Sequence, residues 1–137
     1  MSSENVEAMV IAWLNDVIAD YHASSDTPKT LPNHFILVER TGGQRVAMVG
    51  DNAEILIEVY NKKSRADCSE IANWIADHIH KLAEVYENIT SATVNSVISL
   101  DDREKQYRRY QIYCDVFHSR VSEYNSEPPA PTPIPSA

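Results

Sequence analysis

The residues best suited to chemistry in this chain are two cysteines, Cys68 and Cys114, and a small set of histidines. Cys114 is followed four residues later by His118, a pairing that would suggest a thiolate nucleophile with a histidine base. Residues four apart on a strand share a face, but their Cα atoms lie roughly 13 Å apart, beyond hydrogen-bond reach. Neither cysteine belongs to a CxxC pair or a metal-ligand spacing. We therefore expect two buried, reduced thiols rather than a cysteine-based enzyme.

Two other groups of residues invite a ligand. His78 and His80 lie two apart in a segment of helical periodicity, so their side chains point in different directions and are poorly placed to share a metal ion. Gly42 and Gly43 suggest phosphate binding, but no helix N-terminus and no P-loop lysine follows them. The two glycines instead predict a hairpin turn. We expect no metal, no cofactor and no enzyme activity.

Length and charge restrict the classes of function. The chain has 137 residues, of which 43% are hydrophobic, which suits one packed domain. No apolar run approaches the roughly 18 residues that a membrane span needs, so no membrane partner is expected. The net charge of −8 repels phosphate backbones and argues against sequence-specific DNA binding. A passage with negative walls would nevertheless let DNA slide through.

Helical periodicity marks two segments of the chain. Residues 3–23 place apolar side chains three or four apart, and Ser3 can cap the first turn. Residues 64–86 show the same spacing after Ser64, which begins a capping box with Asp67 in the acid position. The sequence therefore predicts two amphipathic helices.

Four segments predict strands: residues 34–40, 53–61, 93–100 and 109–120. The first two are expected to pair as a hairpin with a long arm. The last alternates cleanly, and four of its side chains are expected to face the core: Tyr110, Ile112, Cys114 and Val116. The mixed-charge residues 101–106 lie between the last two strands, as a solvated loop or as a projecting interaction arm.

The elements combine into an α+β fold. We predict a mainly antiparallel four-stranded sheet packed by two helices, in the order helix, strand, strand, helix, strand, strand. This domain occupies residues 1–122. Residues 123–137 contain five of the chain's seven prolines and predict an extended, proline-rich C-terminal tail.

Two motifs on the predicted strands carry a resemblance. The first strand runs into Val-x-x-Thr-Gly-Gly, in the sequence VERTGG, and the last begins with Arg-Tyr-Gln, in RRYQIYCDVF. With this order of elements, residues 5–121 resemble the tail terminator proteins of long, non-contractile-tailed phages. Residues 101–106 depart from the family, in which the segment before the last strand is often rich in Pro, Asp and Gly. The matched residues are Val38, Thr41, Gly42 and Gly43 in the first motif and Arg109, Tyr110 and Gln111 in the second.

The resemblance implies a structural virion protein of the phage neck. Such a protein forms a hexameric ring that caps the tail tube, stops its polymerisation and docks it to the head connector. The implied partners are further copies of the chain, the tail tube protein and the head-tail connector or stopper protein, while genomic DNA passes through the channel without specific binding. Assembly would take place in the host cytoplasm. Another neck or head-tail connector ring protein is the alternative, and a small ligand-binding domain or enzyme is a more remote one.

The same resemblance suggests which residues serve the assembly. Charged residues and glycines near the first motif and in the last connection are candidates for a subunit or partner interface, together with part of the proline-rich tail. Acidic residues are candidates for the channel lining. The interface candidates are Glu39, Arg40, Thr41, Gly42, Gly43, Arg45, Arg103, Arg108, Pro128, Pro129 and Pro131; the channel candidates are Asp51, Asp101 and Asp102.

Overall fold

The computed structural model of the chain describes residues 5–46 and 50–119, with the backbone alone at residues 45 and 46. Within these residues the fold is α+β, as predicted: a mixed five-stranded sheet carries helices on one face. The strands are β1 (Ala23–Ser24), β2 (His34–Val46), β3 (Gly50–Asn61), β4 (Ile89–Ser99) and β5 (Arg108–His118). The helices are α1 (Val6–Val17), α2 (Arg65–His78) and, after a 3₁₀ turn at Ile79–Lys81, α3 (Leu82–Val85). None of these helices is long and apolar enough to cross a membrane.

The sheet has the order β1-β2-β3-β5-β4. Its four long strands pair antiparallel, which agrees with the predicted sheet, and β2 with β3 forms the predicted hairpin. The fifth strand was not predicted: β1 runs parallel to β2 and pairs with it only at Ile36 and Leu37. The sheet is therefore mixed, with one short parallel strand at an edge.

The first helix is shorter than its periodicity predicts. α1 ends at Val17 instead of continuing to residue 23. The reason is that the Asn15 side chain forms two hydrogen bonds with the backbone of Ala23. Its amide oxygen accepts from the Ala23 N–H at 2.8 Å and its amide nitrogen donates to the Ala23 carbonyl at 3.0 Å. These bonds hold Ala23 as a strand beside β2. At the other end the cap is Asn5, whose side chain accepts from the Ala8 N–H at 3.0 Å, and not Ser3.

The second helix begins where the sequence predicts. The Ser64 hydroxyl accepts from the Asp67 N–H at 3.0 Å, which is one half of the capping box. Asn61 supplies the other half, because its amide oxygen accepts from the Ser64 N–H at 2.8 Å. The Asp67 carboxylate is thereby left to accept from the Tyr21 hydroxyl at 2.6 Å. Helical residues then continue to Val85, interrupted by the 3₁₀ turn.

The main core lies between the helices and one face of the sheet. It contains apolar residues of both long helices and the face of β5 that was expected to be buried, including Ile112, Cys114 and Val116. Trp13 of α1 stacks on Trp74 of α2 with ring centroids 6.1 Å apart, which joins the two helices over the sheet. On the opposite face a smaller cluster joins Phe35, Tyr60 and Tyr107. The buried apolar residues of the described helices belong to the main core, so no described helix packs on this second face.

Candidate interaction surfaces

The predicted Gly-Gly turn lies inside a strand. Gly42 pairs with Glu54 and Gly43 with Ala53, so β2 continues past the two glycines to Val46, which pairs with Gly50 of β3. The register shifts between Arg40 and Gly42, and Gly43 has φ +153°, a conformation that favours glycine. The prediction of a turn was wrong, because a bulge at Thr41 absorbs one extra residue and the two glycines after it continue the ladder.

The hairpin is not a free arm within the described residues. β5 accompanies β3 as far as the pair between Asp51 and His118, so the hairpin is flanked by another strand over almost its whole described length. The side of β2 that faces away from β3 is covered only in its first part. β1 covers it at Ile36 and Leu37, and the Glu7 carboxylate accepts from the Arg40 N–H at 2.9 Å. We call residues 41–46 the open segment of β2, because no described strand pairs with their outer side.

Side chains brace the open segment from within the hairpin. The Arg40 Nε donates to the Gly42 carbonyl at 3.1 Å, and the Thr41 hydroxyl donates to the Glu54 carbonyl at 3.3 Å. Glu39 is exposed and lies two residues before the open segment. Arg45 contributes its backbone to the ladder opposite Asp51, and its side chain lies outside the described atoms. The interface candidates of the first motif are thus neighbours on one exposed strand.

The other predicted residues meet at the opposite end of the sheet. Asp101 accepts from Arg65 at 3.0 Å and from Arg108 at 2.9 Å, and so links the start of α2 to the start of β5. Asp102 is close to Lys105 at 3.8 Å and to Arg109 at 3.9 Å. The mixed-charge connection is therefore a tight, ion-paired hairpin closed by a bridge between Asp102 and Tyr107, and not a projecting arm.

The cations change the acidity of Asp101. Desolvation alone would raise the pKa of this carboxyl group. The hydrogen bond from Arg108 and the charges of Arg65 and Arg108 outweigh desolvation and lower the pKa below its ordinary value. The negative charge of Asp101 is thus largely compensated by its neighbours, which weakens its case as a repulsive channel residue.

The three channel candidates do not form one cluster. Asp51 lies beside His118 at one end of the β3–β5 ladder, whereas Asp101 and Asp102 adjoin the other end, where Asn61 pairs with Arg108. Ten residues of strand separate the two ends, a distance of roughly 33 Å. Asp51 is therefore at the opposite end of the sheet from Asp101 and Asp102.

Basic and aromatic residues accompany the ion pairs, a grouping that no local sequence pattern indicates. The ammonium of Lys62 lies 5.8 Å from the centre of the Tyr107 ring, and the guanidinium of Arg109 lies 5.8 Å from that of Tyr60. The Tyr107 hydroxyl donates to the carbonyl of Pro32, which attaches the loop before β2. We call this region, formed by Lys62, Arg65, Arg103, Lys105, Arg108 and Arg109, the basic end of the domain.

An open concavity of about 420 Å³ lies at the basic end. Its lining is mostly charged and belongs to a single hairpin and the end of β3, so it is a shallow surface feature rather than an enclosed ligand pocket. The lining includes the interface candidates Arg103 and Arg108. Its residues are Lys62, Asp101, Asp102, Arg103, Gln106, Tyr107 and Arg108.

The helix-free face of the sheet carries polar rows. Glu58 accepts from Gln111 at 2.9 Å and from Arg109 at 3.5 Å across the β3–β5 ladder. Asp115 accepts from Asn52 at 3.1 Å and from Asn95 at 3.0 Å, which ties three strands together. These cross-strand contacts satisfy polar groups within the sheet.

The cysteines behave as core residues. Burial raises the pKa of Cys68 and of Cys114 to about 12, so neither forms a thiolate at neutral pH. Both thiols are unbonded to another cysteine and donate to strand carbonyls, Cys68 to Val59 at 3.1 Å and Cys114 to Ile55 at 3.4 Å. The prediction of two buried, reduced thiols is confirmed. No group of three or more His, Cys, Asp or Glu side chains in the described part of the chain is arranged to hold a metal ion.

The remaining interface candidates, Pro128, Pro129 and Pro131, lie outside the described residues, as does the predicted domain boundary at residue 122.

Comparison of the chain with protein-family models and with curated proteins found no match.

Proposed function

We propose that this chain is a tail terminator of a long, non-contractile-tailed phage, acting as one subunit of a six-membered ring at the head-proximal end of the tail tube. The observation that carries the proposal is the placement of the two matched motifs. The Thr-Gly-Gly motif lies on β2 and the Arg-Tyr-Gln motif begins β5, so that both flank β3 in one sheet. α2 follows β3 after a short link, in the order that the resemblance requires.

The proposed mechanism is binding. One surface of the ring complements the last ring of tail tube subunits, and the opposite surface lacks the features needed to add another tube ring. That opposite surface is left to receive the head-tail connector. DNA passes through the ring without being gripped, in keeping with the net charge of −8.

Features of the described surface support an assembly role. The charged concavity at the basic end is shallow, whereas the sheet offers an open strand segment and an uncovered face. Large, patterned surfaces of this kind are suited to protein partners rather than to a small substrate. Arg103 and Arg108 at the basic end remain our candidates for a contact with a partner.

The first test is the mass of the purified protein in solution, measured by light scattering, with electron microscopy of the particles. We expect closed rings of six copies. A protein that stays monomeric at the high local concentrations of assembly would contradict the ring and favour a small ligand-binding domain or enzyme.

The second test separates a terminator from another neck protein. The tagged ring is mixed with purified tail tube protein and, separately, with the connector or stopper and the portal. A terminator binds the tube end and prevents further polymerisation of tube subunits in vitro. Binding to the connector and portal alone, without any effect on tube growth, would favour a head-tail connector ring and exclude the terminator.

A further inference from the structure

The two edges of the sheet are protected to different degrees. β4 forms one edge and pairs only with β5 among the described strands. Its sequence, ITSATVNSVIS, contains no Asp, Glu, Lys, Arg or Pro, in a chain of which 23% is charged. Natural proteins usually guard an exposed edge strand with such residues, since its unpaired N–H and C=O groups are a template for another strand.

Two register shifts interrupt the pairing of β4, but they protect only part of this edge from pairing with another strand. The register shifts between Ile89 and Ser91 and again between Val94 and Ser96. From Ser96 to Ser99 the strand is regular, and the large apolar residues in and after this part are exposed: Val97 by 37%, Ile98 by 43% and Leu100 by 51%. An uncharged strand of eleven residues with apolar side chains in solvent is suited to being covered by another chain.

The opposite edge offers a complementary strand. The first part of β2 is covered by β1, and the N–H of Arg40 is bonded to Glu7. The open segment of β2, residues 41–46, continues beyond that cover. A copy of the chain thus presents an unguarded strand at one edge and a short unpaired length of strand at the other.

The two strands match in direction. β2 is antiparallel to β3, β3 to β5, and β5 to β4, so β4 runs opposite to β2. If a neighbouring copy continues the sheet beyond β4 in the same orientation, its β2 therefore runs antiparallel to β4. No inversion of the neighbour is needed, which is the condition for a ring built from identical contacts.

The two strands also match in level along the sheet. Ser91 of β4 is opposite Phe117, Phe117 is opposite Asn52, and Asn52 is opposite Gln44 in the open segment. The open segment thus lies level with the first half of β4. The neighbour's β1 lies level with Ile98 and Ser99 in the second half of β4, so the proposed pairing involves the first half of β4.

We propose that β4 of one copy pairs antiparallel with the open segment of β2 in the next copy, so that the sheet continues from subunit to subunit. The occupant of the β4 edge is therefore a second copy of this chain. Pairing of β4 with another β4 would leave every open segment uncovered, whereas the head-to-tail arrangement covers the open segment and the first half of β4 with one contact. The pairing rests on the ring assembly proposed above and specifies which strands form it.

Cysteine cross-linking tests the pairing directly. Ser91→Cys and Gln44→Cys place thiols at exposed positions on matching levels of the two strands. The double variant should give, after mild oxidation or with a bis-maleimide that tolerates a slip in register, a ladder of linked copies on a denaturing gel. Each single variant should remain unlinked, since the native cysteines are buried.

The outcomes separate this pairing from the ring itself. Dimers formed by Ser91→Cys alone would show that β4 pairs with β4 and would overturn the proposal. Rings seen by light scattering without cross-links in the double variant would also overturn it, while the proposed function would stand. Absence of any self-association in the unmodified protein would overturn both.

A charge on the edge gives an independent readout. Thr93 is exposed on β4, so Thr93→Lys should leave the monomer folded but place an edge lysine against the neighbour. We expect subunit association to weaken by at least about tenfold, a change of roughly 1.4 kcal/mol. Thr93→Val, which keeps the strand neutral and β-branched, is the matched control and should associate normally. Equal association of both variants, with unchanged circular dichroism, would contradict the pairing.

Discussion

Gly43 shows how a single backbone conformation decides a local structure. Its φ of +153° is one that side-chain-bearing residues rarely adopt, and an added Cβ would run into the carbonyl oxygen of Asn52 across the hairpin. Gly42, its neighbour, has an added Cβ 3.2 Å from the end of the flexible Glu54 side chain. The two glycines therefore differ in how much substitution they tolerate.

Gly43→Ala should destabilise the protein by about 2 kcal/mol or more, because the strained backbone and the contact with the opposite strand add together. Gly42→Ala should cost less than about 1 kcal/mol, since the Glu54 carboxylate can move aside. Urea unfolding followed by circular dichroism measures both changes. Equal losses in the two variants would show that the bulge does not depend on Gly43.

The ion pairs of Asp101 make the stability of the fold depend on pH. Its pKa is lowered in the folded protein by Arg108 and Arg65, in spite of its desolvation, so its ion pairs stabilise the fold above the unfolded-state pKa of about 3.9. This contribution is lost as the pH falls through the lower, folded-state value. Because the pairs are partly exposed, the gain at neutral pH is expected to be below about 1 kcal/mol.

Asp101→Asn should therefore be less stable than the unmodified protein at pH 7, and the difference should shrink towards pH 2. Urea unfolding at several pH values measures it. Asp26→Asn, at an exposed loop position, is the control and should follow the unmodified protein throughout. A difference for Asp101→Asn that is as large at pH 2 as at pH 7 would exclude the ion pairs as its cause.

At the scale of the elements, Asn61 joins the end of β3 to the start of α2. It is only 5% exposed, and its amide nitrogen donates to the Tyr21 hydroxyl at 2.7 Å and to Asp67 at 3.1 Å. Its amide oxygen accepts from the N–H groups of Lys63 and Ser64. One buried side chain thus fixes the turn between strand and helix and attaches the segment after α1.

Asn61→Ala should lower the free energy of unfolding by about 2 to 3 kcal/mol, because it leaves the Tyr21 and Ser64 groups without this partner in a buried place. Asn73→Ala on the exposed side of α2 removes a single bond to Ser69 and is the matched control, with an expected change within about 0.5 kcal/mol. Denaturant unfolding measures both. A change at Asn61 as small as at Asn73 would show that the network is not needed for stability.

For the molecule as a whole, the described main core is built from residues that precede the predicted C-terminal tail. The residues of the main core lie between Val6 and Val116. Residues 123–137 are rich in proline, whose restricted backbone loses little entropy when it binds to a surface. We therefore expect the tail to serve assembly rather than folding.

Removing the residues after Glu123 should leave the unfolding temperature nearly unchanged and weaken ring formation. Thermal unfolding by circular dichroism measures the first effect, and the concentration dependence of the light-scattering mass measures the second. A shortened protein that forms rings as well as the full chain, and supports virion assembly equally, would exclude this role. A large fall in the unfolding temperature would assign the tail to the fold instead.

The elements that depend on neighbours along the chain can be predicted from the amino-acid sequence. The Ser64 cap, the helix after it and the two faces of β5 follow from local hydrogen bonding and from the repeat of apolar residues, which are encoded within a few positions. The separation of Phe35 and Leu37 from Ile36 and Val38 onto opposite faces of β2 follows in the same way.

Features that join residues distant in the sequence depend on how the chain folds. β1 exists because Asn15 binds Ala23 beside β2, and Asp101 is paired because Arg65 of α2 lies near the β4–β5 hairpin. The unguarded position of β4 depends on the order of the strands, which no local pattern contains. Chain reversal and sheet order set these contacts, so the sequence identified the candidate residues and the fold determined which of them can act together.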